Sequence, residues 1–190
     1  MLIYKILEII CNFWESANTR EKIEVLGFPL IFSLGVYALK FTTFTDCQKF
    51  IDGFINTLLT IASLLIAFEV ASITILMTSP SKNIEFAKKT PTKRKTVKGY
   101  GLSYYQLILI RNFYTSIVLM FLILAGLLFK LTINIMSQKY QKIVLGFEIF
   151  LLVHAMVVLG LVLSHMYYLL WKDKLSKEDI ISNRKKADIS

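Results

Sequence analysis

The sequence predicts an all-α integral membrane protein, a four-helix bundle of two helical hairpins preceded by an amphipathic N-terminal helix. Three observations carry that prediction. Apolar residues make up 55% of the 190, and they come in long blocks instead of the spaced positions of a soluble core, with mean hydropathy +0.59. Four blocks reach or approach the roughly 20 apolar residues that a helix needs to cross hydrocarbon. Lys and Arg gather densely in alternate gaps between those blocks, as the positive-inside rule requires of a multi-pass chain.

Residues 1–22 open the chain. Leu2, Ile3, Ile6, Leu7, Ile10, Phe13 and Trp14 recur at helical spacing, with Lys5, Glu8, Asn12 and Glu15 on other faces. That pattern fits a helix lying on the inner leaflet, or one binding a partner. The segment has one early Lys and no small-residue cleavage site, so it is not read as a removable signal. The membrane domain covers residues 23–171, with spans at about 25–41, 54–77, 105–129 and 143–171. The first is short and holds Pro29 in its opening turn, where a missing N–H costs little. Residues 78–104 form a basic connection, and 172–190 form a tail in which Ser176, three before Asp179, marks a helix start.

Charge sets the orientation. Lys5, Arg20 and Lys22, seven cations in 78–104 and six in the tail make sixteen on one side. Lys40, Lys49, Lys130, Lys139 and Lys142 make five on the other, and Arg111 falls inside a span. Both termini are therefore expected in the cytoplasm. The run Lys88, Lys89, Lys93, Arg94, Lys95 and Lys98 would pin its loop there, against anionic lipid or a soluble acidic partner. Direct nucleic-acid contact is the weaker reading of the same net charge of +9. Tyr100, Tyr104, Tyr105 and Trp171 mark the interface.

Counted from the span ends, Glu69, Arg111 and His165 lie about 12, 10 and 9 Å below the inner interface. Buried charges are costly in lipid and are usually paired. A Glu69–Arg111 ion pair with His165 beside it is the expectation, although Arg111 could also snorkel alone, or the layer could handle protons or ions. His154 reads as a hydrogen-bonded packing residue. Asn56, Thr60, Ser63, Ala67 and Thr74 form a small and polar stripe, with Glu69 nearly opposite. That stripe, and the pair Gly160 and Ser164, suit helix packing within one chain or between subunits of a homo-oligomer.

Cys11 and Cys47 fall on opposite sides of the expected topology, so a disulfide between them is not expected, and no spacing points to a metal or cofactor. Phosphate loops, HExxH and GxSxG are absent and the connections are short, so no enzyme is expected. The whole-chain plan of some 190 residues, four spans, cytoplasmic ends and the basic loop KKTPTKRK resembles the KwaA family, the membrane subunits of the bacterial Kiwa anti-phage system. That resemblance implies an inner-membrane oligomer, a tetramer, that senses infection and works with a soluble partner, KwaB, acting on phage DNA. It supplies no site residues. Two other classes fit the same residues: a pore-forming effector with the Asn56–Ser63 stripe along its lumen, and a structural membrane adaptor.

Overall fold

The computed structural model describes the backbone of residues 2–36 and 44–187 and the side chains of 3–36 and 48–167. Cys47, Trp171 and the tail cations lie outside the described side chains. The elements are α1 (Leu2–Ser16), α2 (Thr19–Gly35), α3 (Phe44–Thr78), α4 (Lys82–Lys89), β1 (Pro91–Lys95), β2 (Gly101–Ser103), α5 (Tyr104–Thr132) and α6 (Gln138–Ala187). A 3-10 turn, Ile133–Ile135, joins α5 to α6. The chain is all-α apart from one short hairpin.

Three helical stretches are long and apolar enough to cross a membrane: Gln48–Thr78, Tyr104–Ile135 and Gln138–Tyr167. They answer to the expected spans 54–77, 105–129 and 143–171. The expected span 25–41 differs. Its helix begins at Thr19, and the described part ends after 17 residues, while 37–41 lie outside the described residues. Pro29 is therefore inside α2 and buried, not in an opening turn.

The core is a set of seams with steps of three and four. On α3 it runs through Ile51, Ile55, Leu58, Ala62, Glu69, Ser72 and Leu76. On α5 it runs through Ile108, Asn112, Thr115, Leu119, Leu122, Gly126 and Phe129. Steps of three and four are the spacing at which one face of a helix meets a neighbouring helix. Leu58 and Ala62 pack with Leu119 and Leu122, and Leu76 packs with Ile108, so α3 and α5 run antiparallel. Gly126 admits the closest approach, since a Cβ there would lie 3.2 Å from Leu59 Cδ2 and 3.7 Å from Glu148 Oε2. Helix α6 joins the same seam, with Leu145 in the cluster of Phe129, Ala155 in that of Leu119 and Val162 in that of Ile108. Gln141 caps the turn by donating to the carbonyls of Ile133 and Met136 at 2.8 and 3.2 Å.

The stripe Asn56, Thr60, Ser63, Ala67 and Thr74 is exposed on the single chain, so it is not an internal packing face. Thr60, Ser63 and Thr74 hydroxyls instead donate to carbonyls four residues back at 2.8–2.9 Å. Asn56 Oδ1 accepts from Lys130 Nζ at 2.6 Å. The hydroxyl of Ser164 likewise donates to the Gly160 carbonyl at 2.8 Å, and the space in front of Gly160 is open. Outward positions elsewhere are apolar, among them Phe28, Phe32, Leu64, Phe121, Leu124 and Leu128. Nineteen residues part Arg111 from Lys130 and twenty part Lys49 from Glu69. At 1.5 Å per residue those intervals are about 28 and 30 Å, the thickness of bilayer hydrocarbon.

Candidate functional site

Residues 78–104, expected only as a basic connection, fold into a small module. Ser81 caps α4 by accepting from the Ile84 N–H at 3.3 Å. Strands β1 and β2 pair antiparallel, and the Thr92 hydroxyl donates to the Leu102 carbonyl at 2.6 Å. The turn closes through Gly99 N–H to the Thr96 carbonyl at 2.8 Å, with Gly99 at φ +82°. Only glycine takes that conformation without a steric penalty, and it is the bulge position of a three-residue hairpin loop. Ser103 and Gln106 then form a reciprocal capping box, at 3.2 and 2.9 Å, that starts α5 directly from β2.

This module is clamped to α1 and α2. The Val97 N–H donates to Asn12 Oδ1 at 3.0 Å, and Lys98 Nζ reaches Glu8 at 2.6 Å. The Glu8 carboxylate raises the affinity of Lys98 for its proton. Arg94 Nη2 meets Glu21 Oε1 at 3.1 Å, and Arg111 Nη2 approaches the same oxygen at 3.0 Å. The other oxygen of Glu21 accepts the Asn18 N–H at 2.9 Å. One carboxylate thus caps α2, holds the hairpin and neutralises Arg111. Burial opposes the ionisation of Glu21, but the Asn18 N–H and the two guanidiniums outweigh it and hold the carboxyl below its ordinary value of 4.5.

Arg111 does not pair with Glu69. Its guanidinium, 1% exposed at the side chain, turns toward Glu21 and toward His165, whose Nδ1 and Nε2 lie 2.8 and 2.9 Å from Nη1. His165 Nδ1 lies 2.6 Å from the Leu161 carbonyl, so Nδ1 donates there and Nε2 accepts from Arg111. Tyr104 completes the group by donating to the His165 carbonyl at 3.4 Å. Arg111 and His165 do meet, but the carboxylate beside Arg111 is Glu21 and not Glu69. The physical reason is angular: α5 turns residue 111 toward α2 and α6, and residue 112 toward α3. Glu21 was missed because it precedes the expected spans.

Among the described residues, neither oxygen of Glu69 has a hydrogen-bond partner, and the side chain is fully buried. Glu148, deep in the α6 seam beside Gly126, is in the same condition. Asn112 Oδ1 and Ser116 Oγ are also buried without partners among the described residues, although the Asn112 amide donates to the Ile108 carbonyl at 3.0 Å.

His154 is a packing residue with a defined task. Pro29 has no N–H to give the Val25 carbonyl four residues earlier. His154 Nδ1 supplies the missing donor at 2.9 Å, and its Nε2 accepts from Tyr114 Oη at 2.7 Å. Tyr114 in turn stacks on Phe13, ring centroids 3.8 Å apart, which docks the end of α1.

Of the six basic residues singled out, Arg94 and Lys98 are in ion pairs, and Lys88 lies 5.0 Å above the Tyr105 ring. Lys89, Lys93 and Lys95 are exposed, with no ion pair among the described residues. Cys11 is exposed and free. No group of three or more His, Cys, Asp or Glu that could hold a metal occurs among the described residues. Comparison with known proteins finds no family model, no curated protein and no solved structure that matches this chain.

Proposed function

We propose that this chain is a non-enzymatic membrane subunit whose basic end docks a soluble acidic protein, as in an anti-phage complex of the Kiwa kind. On this reading it sits in the bacterial inner membrane with both termini cytoplasmic. It assembles as a homo-oligomer, and a KwaB-like effector binds the α4–hairpin surface. The supporting observation is the bracing of that surface. Glu8, Asn12 and Glu21 hold the hairpin from one side, while Lys89, Lys93 and Lys95 point outward. A topogenic anchor needs charge alone; a fixed array of cations on a folded module suits recognition of a complementary protein surface. A sensing role for α1 follows from the same connection, because movement of α1 at the leaflet would pass through Asn12 and Glu8 to the hairpin.

The test is purification of the tagged chain in mild detergent after expression with its neighbouring genes, followed by native mass spectrometry. A soluble neighbour retained by the wild type and lost with Lys89→Glu, Lys93→Glu, Lys95→Glu supports the reading. Retention by the triple variant, or an oligomer with no partner, counts against docking at this surface. In the second case capture by vesicles rich in anionic lipid would make the cations lipid contacts.

The outward stripe Asn56, Thr60, Ser63, Ala67 and Thr74 favours a second reading, a pore lined by α3 from several copies. Cation flux through the purified protein in liposomes, altered by Ser63→Lys, would support it; no flux under any condition would remove it.

A further inference from the structure

We propose that Glu69, Asn112 and Ser116 form a dehydrated binding site for a monovalent metal cation of the sodium class between α3 and α5. The antiparallel seam sets the geometry. Leu58 and Ala62 pack with Leu119 and Leu122, and Leu76 packs with Ile108, so Glu69 falls opposite residues 112–116. Asn112 and Ser116 are one turn apart on neighbouring positions of α5. Both oxygens of Glu69, Oδ1 of Asn112 and Oγ of Ser116 are buried without partners among the described residues. The Asn112 amide nitrogen is already used on the Ile108 carbonyl, which leaves its oxygen free to face the seam.

Four unpartnered oxygens on one layer of a tightly packed seam are expensive unless something donates to them or coordinates them. Arg111, the nearest guanidinium in sequence, is committed to Glu21 and His165. The donor set is all oxygen, which suits a hard ion and not a thiolate- or imidazole-seeking metal. It carries one carboxylate, so a monovalent ion leaves the buried layer neutral, whereas a divalent ion would leave an uncompensated charge. Glu148 provides an internal contrast. It is equally buried and unpartnered among the described residues, but it lies beside Gly126, which has no side chain to bring an oxygen to it.

The test uses the full chain in detergent, with thermal unfolding followed at constant ionic strength in sodium, lithium, potassium, magnesium or choline chloride. Sodium or lithium should raise the midpoint by about 5 °C over choline once the ion exceeds its Kd a hundredfold. Magnesium should not. Glu69→Gln and Asn112→Ala should each abolish the shift, while Glu148→Gln should keep it. Equal midpoints in all five salts, or a sodium shift that survives Glu69→Gln, would overturn the site. If Glu69→Gln does not fold, the wild type still decides. Labelling of Glu69 by dicyclohexylcarbodiimide should slow at least fivefold when sodium replaces choline, and an unchanged rate overturns the proposal.

Discussion

Two carboxylates, the half-buried Glu21 and the fully buried Glu69, differ in every respect that matters for stability. Glu21 spends one oxygen on two guanidiniums and the other on a backbone N–H. Glu69 has two oxygens and no partner among the described residues. The divergence is produced by adjacent residues of one helix, Arg111 and Asn112, which α5 turns toward different neighbours. A charge layer counted by depth thus separates into a satisfied structural clamp and an open set of oxygens. The first holds the molecule together; the second is what a ligand could occupy.

Breaking the clamp should cost most. Glu21→Gln leaves Arg111 buried without a counter-charge and should destabilise by about 3 kcal/mol, read as a fall in the thermal midpoint in detergent. Removing both partners with Glu21→Gln and Arg111→Leu should cost less than the two single changes together. The same carboxylate sets an acid limit. Because its folded value lies below 4.5, its contribution is complete above that pH and fades as pH drops through the folded value. The wild-type midpoint should therefore fall between pH 5 and 3 more steeply than that of Glu21→Gln.

Glu69 should respond with the opposite sign. Glu69→Leu, measured in choline chloride, should raise stability by about 2 kcal/mol, since an unpaired polar group is replaced by seam packing. A large loss there would erase the contrast between the two carboxylates. Intermediate in size is the Pro29 device. His154→Leu should cost about 1.5 kcal/mol by stranding the Val25 carbonyl and the Tyr114 hydroxyl. That cost should shrink in a Pro29→Ala background, where residue 29 again donates to Val25. The smallest effect belongs to the hairpin: Gly99→Ala should cost about 1 kcal/mol, the penalty for a left-handed residue with a Cβ. It should also loosen amide-exchange protection in β1 without altering that of α5.

The spans of α3, α5 and α6 were legible because hydropathy over twenty residues needs no knowledge of neighbours. The hairpin was not, since PTKRK has no alternation of apolar and polar residues to announce a strand. Its one signal was glycine in KGYG, where Gly99 supplies the positive φ. Helical periodicity on α3 offered two candidate faces, and the polar stripe drew the eye from the one that packs. The packing face reads Ile51, Ile55, Leu58, Ala62, Glu69, and only its apolar members distinguish it. The partner of Arg111 was hidden for another reason: Glu21 lies ninety residues away, in a segment read as leading into the membrane.

The interval between Arg111 and Lys130 is a length that the fold holds fixed. Both residues are tied to other helices, Arg111 to Glu21 and Lys130 to Asn56, so neither can slide along α5 to suit a different membrane. Were those two charges to bound the hydrocarbon layer, a bilayer a few ångströms thicker than about 28 Å would thin around the protein, and a thinner one would be met by tilting the bundle as a whole. Tilt would carry the rigidly clamped hairpin with it. Lipid thickness and the direction faced by Lys89, Lys93 and Lys95 are then coupled mechanically, so acyl-chain length becomes a variable that any reconstitution of this protein has to control.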